Sequence, residues 1–560
     1  MSTRVTPREL HHLSADELGL VLQKLPDAEE VARSALVSRG FKLAARHAAE
    51  ARFLAASRLG VPMPTLKEGE PKLRAVRWVE AVAQRVPCTL AAGVDHSLAI
   101  LTETSNSWII SWGSNDQNQL GRAESDEHFD DDSDDDPGWE VVLWTEYDEP
   151  MEPREVSAGA YHSLALDVEG GVWVWGWGDE GQLGQGDLEH HMFPQPLASL
   201  SGTRILQVSA GGQHSLLLTA TGDVLAFGKN EHGQLGIDNV GADTAGTRRV
   251  LPTAVTGFAG RRITQIVAAD EHSAAVDEAG GVWTWGHNKY DSLGHGDDDD
   301  VIRAQPAQVV VLASQRVRSV SSSIYHNLAV TTTGEVYAWG DGAHGKLGIL
   351  RLAQVRDGLY IKLGSHAEQP VGHEGRCPVP ERVACAEPVL QACAAHDHSV
   401  LLTVAGEVYV MGNHAYLKGE DDGDDDRWIK NPEVSWLPTP LPAFAQPLAE
   451  DKLASIARLE KVSRELGVSL SMDAELLVAR ASARPAKSRG LVTMVSAFGK
   501  HTLARTTDGK VYSWGIGEYG QLGHDDEEDQ AGIDQHAPKE ILAISEALPL
   551  DDDSESESDA

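Results

Sequence analysis

"GGVWVWGWGDEGQLGQGD", running from Gly170 to Asp187, holds Gly176, Gly178 and Gly181 at a G-x-G-x-x-G spacing. Such a string can cradle phosphate where a helix opens after a buried strand. This one recurs at Gly340, Gly342 and Gly345 and at Gly515, Gly517 and Gly520, and in no case does a helical pattern follow. A glycine string repeated at fixed phase reads as the beat of an internal repeat, not as one ligand site.

The repeat is easily traced. A run ending in His-Ser, His-Asn or His-Thr occurs at His96, His162, His214, His272, His326, His398 and His501. Fourteen residues after six of these comes a glycine preceded by Trp, Phe or Met: Gly176, Gly228, Gly286, Gly340, Gly412 and Gly515. After His96 the interval is seventeen, to Gly113, so that hairpin carries three extra residues. Eight residues further, Leu-Gly closes six of the units, ending at Gly121, Gly184, Gly236, Gly294, Gly348 and Gly523. The sixth unit departs, with Met411 at the aromatic position and Leu417-Lys418-Gly419 at its end.

"HSLALDVEGGVWVWG" alternates apolar and polar residues on either side of Glu169-Gly170-Gly171, which is a hairpin signal. Trp175, Trp285, Trp339 and Trp514 suit a packed sheet face. Short repeated sheets must stack on their neighbours, and seven of them closing radially make a propeller. The units resemble the repeats of the regulator of chromosome condensation family. That resemblance implies an all-β, seven-bladed β-propeller over 71–548. "HAPKEILAI", His536 to Ile544, resembles the opening of a further repeat, and the expectation is that it completes a blade begun by the N-terminal part of the ring.

No apolar run approaches membrane-spanning length, and "MSTRVTPREL" lacks a secretory core, so the expected setting is intracellular, cytoplasm or nucleus, with no membrane. Cys377, Cys385 and Cys393 are spaced by eight, wider than the close pairs of zinc sites. They read, with Cys88, as reduced thiols on or near strands.

The net charge is −38, and thirty acids fall in five runs free of Lys and Arg, so the rest of the chain carries only about −8. The runs are 124–136, 297–300, 420–426, 525–529 and 551–559. Four follow the closing beat of a repeat, where equivalent loops emerge on one face. Asp130, Asp131, Asp132, Asp297, Asp298, Asp299, Asp424, Asp425, Asp525 and Asp526 are therefore expected to form an acidic face. Solvated loops that aid solubility are the plainer reading; steering of a basic protein is the functional one. Either way, direct DNA contact over that face is disfavoured.

Residues 6–58 carry a helical pattern: Ser14 and Glu17 fit a capping box, and Leu18, Val21, Leu22 and Leu25 share one face. The order from Leu13 and Leu18 through Leu25-Pro26 to Leu36-Val37 and Phe41 resembles an F-box, with Gly40 where a bulky residue is common. That resemblance implies docking on a Skp-type adaptor of a cullin ubiquitin ligase through those seven residues. The alternative is a three-helix cap on the propeller. A helical insertion is expected over about 430–491, an acidic loop over 122–138, and a disordered acidic tail over 549–560.

No nucleotide, kinase or metalloprotease motif occurs, so no catalytic, cofactor or metal residues are expected. One histidine per blade at fixed phase reads as a structural hydrogen bond tying a blade turn to backbone. The founding member of the resembling family catalyses guanine-nucleotide exchange on a small GTPase, and no loop here matches strongly enough to carry residues over. Light-sensing members gather tryptophans just before the repeat histidine. Here those positions read GVDH, GAYH, GGQH, ADEH, SIYH, AHDH and FGKH. The function expected is non-enzymatic protein binding by a monomer, as a ligase substrate receptor for a basic protein. GTPase regulation is the alternative.

Overall fold

In the computed structural model the described residues are 87–122 without 104–105, 140–142, 151–237, 248–349 without 298–299, 376–413 without 386, 435–444, 491–524 and 535–541, with Val82, Arg85 and two short strands at 355–356 and 359–360. They form seven four-stranded antiparallel sheets. Blade two is typical: Pro153–Ala158, His162–Asp167, Val172–Gly176 and His191–Pro196 pair in chain order. Blade one spans 90–141, and blades three to seven span 205–254, 263–308, 317–382, 389–440 and 492–540. The first hairpin is longer than its equivalents, with eight-residue strands His96–Glu103 and Asn106–Gly113.

Ring closure differs from the expectation. Gln535–Glu540 pairs with Val511–Gly515 of its own blade, through Tyr512↔Glu540 and Ser513↔Lys539. Blade one has no vacant strand position, because Leu90–Ala92 fills the inner edge and Glu140–Val141 the outer. The ring therefore closes by contacts between complete blades. Gly499 N donates to Gly93 O over 3.1 Å, and Ala92 N to Ser496 Oγ over 3.0 Å. The insertion boundary also shifts. Ser435–Pro440 is the outer strand of blade six, so the helical insertion cannot begin at 430; its proposed helices lie outside the described residues. The adaptor-facing residues Leu13, Leu18, Leu25, Pro26, Leu36, Val37 and Phe41 lie outside them as well.

The beat residues interlock neighbouring blades. Gly176 sits at a bulge with φ +102°, where a Cβ would stand 2.7 Å from Tyr161 O. A side chain there would be strained as well as crowded. A Cβ on Gly178 would meet Glu189 O at 1.9 Å. The amides of this loop serve the turn itself: Trp177 N donates to Tyr161 O and Gly181 N to Gly178 O. The glycine string is thus spent on packing, and its donors do not converge on a ligand. The Leu-Gly glycine lies against the next blade's aromatic, as Gly121 does on Trp175 and Gly294 on Trp339. Those indoles are fully buried and donate back to the preceding loop, Trp175 Nε1 to Gln119 O and Trp339 Nε1 to Ser292 O. Trp514 Nε1 has no partner among the described residues, and the irregular 417–419 loop that precedes its blade lies outside them.

Inner strands add a second set of ties. Gln207, Gln265 and Gln391 each bond both the C=O and the N–H of one residue of the next blade, at Ile266, Val320 and Val495. Blade two has Glu155 at this position, which cannot donate. Glu155 is instead held by Arg85, which pairs with both its oxygens and also donates to Leu206 O.

None of the four cysteines forms a disulfide. Cys393 lies within Val389–Ala394, and burial pushes its thiol up to about 12. Cys88 precedes the first strand and is pushed up to about 11 by burial and then by Glu155. Such thiols are poor nucleophiles. No helix among the described residues is long and apolar enough to cross a membrane.

Candidate functional site at the mouth of the ring

The repeat histidines build a closed circuit. Each Nε2 meets the residue that follows the histidine in the next blade: His96 to Ser163, His162 to Ser215, His214 to Ser273, His272 to Asn327, His326 to Ser399, His398 to Thr502 and His501 to Ser97, at 2.7–3.0 Å. The partner is thus a side chain on the neighbouring blade, which relays the bond to backbone. Ser163 Oγ donates to Gln119 O, Ser215 Oγ to Gln182 O, Ser273 Oγ to Gln234 O and Ser399 Oγ to Lys346 O, all at 2.8 Å. A hydroxyl has one proton, and these carbonyls take it, so the imidazole must donate. Asn327 gives the same answer, since its Oδ1 can only accept while its Nδ2 donates to Ser292 O. In these five blades the histidine therefore carries a proton on Nε2, and burial disfavours a second one on Nδ1. Burial holds His96, His162, His214 and His501 at about 3 and His272 at about 4, and pushes His326 well below its ordinary value.

One residue away, the chemistry changes. The histidine pairs across its hairpin with the beat glycine, as His272↔Gly286 does. The residue before the histidine and the residue after that glycine are therefore held opposite each other. A backbone bond fixes each pair: Asp95 with Ser114, Tyr161 with Trp177, Gln213 with Lys229, Glu271 with His287, Tyr325 with Asp341, Asp397 with Asn413 and Lys500 with Ile516. Seven such pairs surround one mouth of the ring, and no two are alike. Tyr161 and Trp177 meet edge to face at 5.5 Å, with Tyr161 40% exposed. Between blades four and six the mouth is cationic and aromatic. Lys289 and Lys346 lie over the Tyr325 ring, Arg376 lies over Tyr290, and Lys346 pairs with Asp341 at 2.7 Å. Tyr290 holds a left-handed φ of 57°, a conformation uncommon for a bulky residue.

Of the expected acidic face, only Asp297 falls within the described residues. It follows the Leu293-Gly294 beat and pairs with Arg303. Asp130, Asp131, Asp132, Asp298, Asp299, Asp424, Asp425, Asp525 and Asp526 lie outside them.

Sequence reading missed one cluster. His232 of blade three and Glu271 and His287 of blade four bring their ligand-type atoms within 4.8 Å of one another. His287 Nδ1 lies 2.9 Å from Glu271 Oε2, and its Nε2 lies 2.6 Å from Asp300 Oδ1. Its bond to Glu271 raises the His287 pKa against burial, and Asp300 adds to the rise. Contact with His232, then the bond to His287, holds the Glu271 carboxyl well below its usual range. The signal for half of this was present: the fourteen-residue hairpin spacing places Glu271 against His287. Nothing in the sequence brings in His232 from the neighbouring blade.

The RCC1-like domain model matches residues 56–418, and the RCC1 repeat model matches residues 508–547. The Ultraviolet-B receptor UVR8 of Arabidopsis thaliana is 28% identical over 461 residues, covering 81% of this chain and 82% of that receptor. The E3 ubiquitin-protein ligase HERC2 of Homo sapiens is 33% identical over 259 residues, covering 46% of this chain and 5% of that ligase. Among solved structures, Prp20p from Saccharomyces cerevisiae, described with its binding properties to Gsp1p and histones, superposes with a TM-score of 0.53 at 21% identity, covering 79% of this chain and 87% of that one.

Proposed function

Because this chain belongs to the RCC1-like domain family, we propose that it is a non-enzymatic protein-interaction propeller whose mouth pairs and beat loops form the recognition surface. One observation carries this reading: a histidine bonded to the next blade in all seven blades underlies seven different side-chain pairs around one mouth. A frame kept constant while its displayed residues vary suits recognition by shape and charge more than a single reaction. Aromatic and cationic groups such as Tyr161, Trp177, Tyr325 and Arg376 are the types that anchor protein interfaces. HERC2 and Prp20p give context, since the first is named as a ubiquitin ligase and the second is described with Gsp1p and histones.

The finer proposal is an intracellular substrate receptor of a Skp-cullin ligase. Leu13, Leu18, Leu25, Pro26, Leu36, Val37 and Phe41 would face the adaptor, and the acidic loops would hold a basic protein. Calorimetry of the full chain against a Skp-type adaptor tests it. Micromolar or tighter binding is expected, lost in Leu25→Asp/Val37→Asp with the thermal unfolding of the propeller unchanged. Binding that survives both substitutions refutes the receptor reading. The second reading, regulation of a small GTPase, is favoured by the match to Prp20p. It predicts faster release of labelled nucleotide from at least one member of a GTPase panel.

A further inference from the structure

We propose that His232, Glu271 and His287 form a binding site for a divalent transition-metal ion at the seam of blades three and four, with Asp300 as its outer support.

Glu271 bridges nitrogens at the edges of the two imidazoles. Its Oε1 is 3.4 Å from His232 Nε2 and its Oε2 is 2.9 Å from His287 Nδ1. Ligands on one small ion, each bonded at about 2.0–2.2 Å, stand at comparable mutual distances. The three donors also come from well-anchored backbone. Glu271 and His287 are locked across the hairpin by His287 N donating to Glu271 O over 3.0 Å. His232 lies in the blade-three beat loop, where its amide donates to Gln234 Oε1.

Asp300 is an independent sign. Metal-bound histidines commonly give their second nitrogen to a carboxylate, which fixes the tautomer and raises the basicity of the ligating nitrogen. The 2.6 Å contact of His287 Nε2 with Asp300 Oδ1 has that form, and it leaves Nδ1 facing Glu271. Two imidazoles and one carboxylate suit zinc, cobalt or nickel better than calcium or magnesium, which prefer all-oxygen shells. Three protein ligands leave a coordination position for water or for a partner's side chain.

Two features set the terms of binding. The His232 and His287 rings are stacked, with centroids 4.5 Å apart and planes 9° from parallel, so one ring must turn to bring both lone pairs onto one ion. His232, 26% exposed, is the freer of the two. Lys289 Nζ lies 3.9 Å from Glu271 Oε2 and must yield to the ion, remaining over Tyr325. The ion replaces the proton on His287 Nδ1, which goes to buffer, so affinity rises with pH.

The test is titration of the chelator-stripped full chain with cobalt(II), followed by its visible d–d absorption and by calorimetry in two buffers of different ionisation enthalpy. The expected result is one strong equivalent with imidazole-ligated spectra and proton release. His232→Gln/His287→Gln should abolish that equivalent. Asp300→Asn should weaken it by about 10–100-fold, the usual effect of losing an outer carboxylate. His190→Gln, remote from the cluster, should change nothing. Asp300 is 79% exposed, so its variant keeps the test decisive even if the double variant unfolds. Absence of a strong equivalent in the parent chain, or an equal one in Asp300→Asn and the double variant, overturns the site and leaves a proton-sharing cluster.

Discussion

His272 and Glu271 are adjacent in the chain and belong to different layers of the molecule. His272 is sealed, donates to Asn327 of the next blade, and is held neutral by burial. Glu271 is about one-third exposed and faces two imidazoles and a lysine. Six other blades repeat this division. The sealed layer is nearly uniform because each blade must satisfy the same carbonyl and the same imidazole without water. The mouth layer is free to vary because its side chains can be solvated. One hairpin register serves both purposes, and substitutions one residue apart should fail in different ways.

The largest effect should come from removing the interlock. Trp175→Ala deletes a fully buried indole and its bond to Gln119 O, and should cost about 3–5 kcal/mol of stability by urea unfolding. Ser215→Val is next. Valine is larger than serine, so overpacking adds to the loss of the hydroxyl, which strands the His162 N–H and the Gln182 carbonyl at about 1–3 kcal/mol for each buried group. A ring variant without measurable loss would break the comparison at its sealed side. Tyr161→Ala, in the mouth, should shift stability by no more than about 1 kcal/mol, the scale of one aromatic pair. It should nevertheless change which proteins the propeller retains. Asp297→Asn should be the mildest, because an ion pair open to solvent on both sides of the contact contributes about 1 kcal/mol or less, and each partner here is about one-third exposed.

Acid should separate the layers as well. The folded-state pKa values of His96, His162, His214 and His501, at about 3, lie below the ordinary 6.5. Unfolding therefore takes up protons once the pH falls below 6.5, and stability should decline from there towards pH 3, by about 1.4 kcal/mol per pH unit for each histidine. His287 has the opposite sign, since its raised pKa favours the fold below its unfolded value. It is one group against several, so the net effect of acid should be destabilising.

The architecture was legible because its marks are glycine and histidine at fixed spacing, and each mark has one physical reason. Gly176 must bulge, Gly121 must clear Trp175, and His162 must reach Ser215. Ring closure was misread from "HAPKEILAI" although a signal was available. The outer strands of blades two to seven each carry a proline, at Pro194, Pro252, Pro306, Pro380, Pro438 and Pro538. Proline lacks the amide that an interior strand must donate, so it marks a sheet edge. Pro538 also stands in the same register as those prolines, one residue before the partner of the middle strand position, and so matches an outer strand. The His232–Glu271–His287 cluster was hidden for another reason. Period-two patterning fixes neighbours within a blade, while His232 arrives across a seam whose spacing depends on the twist between sheets.

The most direct test of the account is the protonation of the ring histidines, read by long-range proton–nitrogen correlation on histidine-labelled protein at pH 7.5 and 5.5. Single His→Gln variants would assign the signals. His96, His162, His214, His272, His326 and His501 should show a protonated Nε2 and a bare Nδ1 at both values. Conversion of these six to imidazolium by pH 5.5 would contradict it, because a charged ring could not be the sealed frame on which the mouth is displayed.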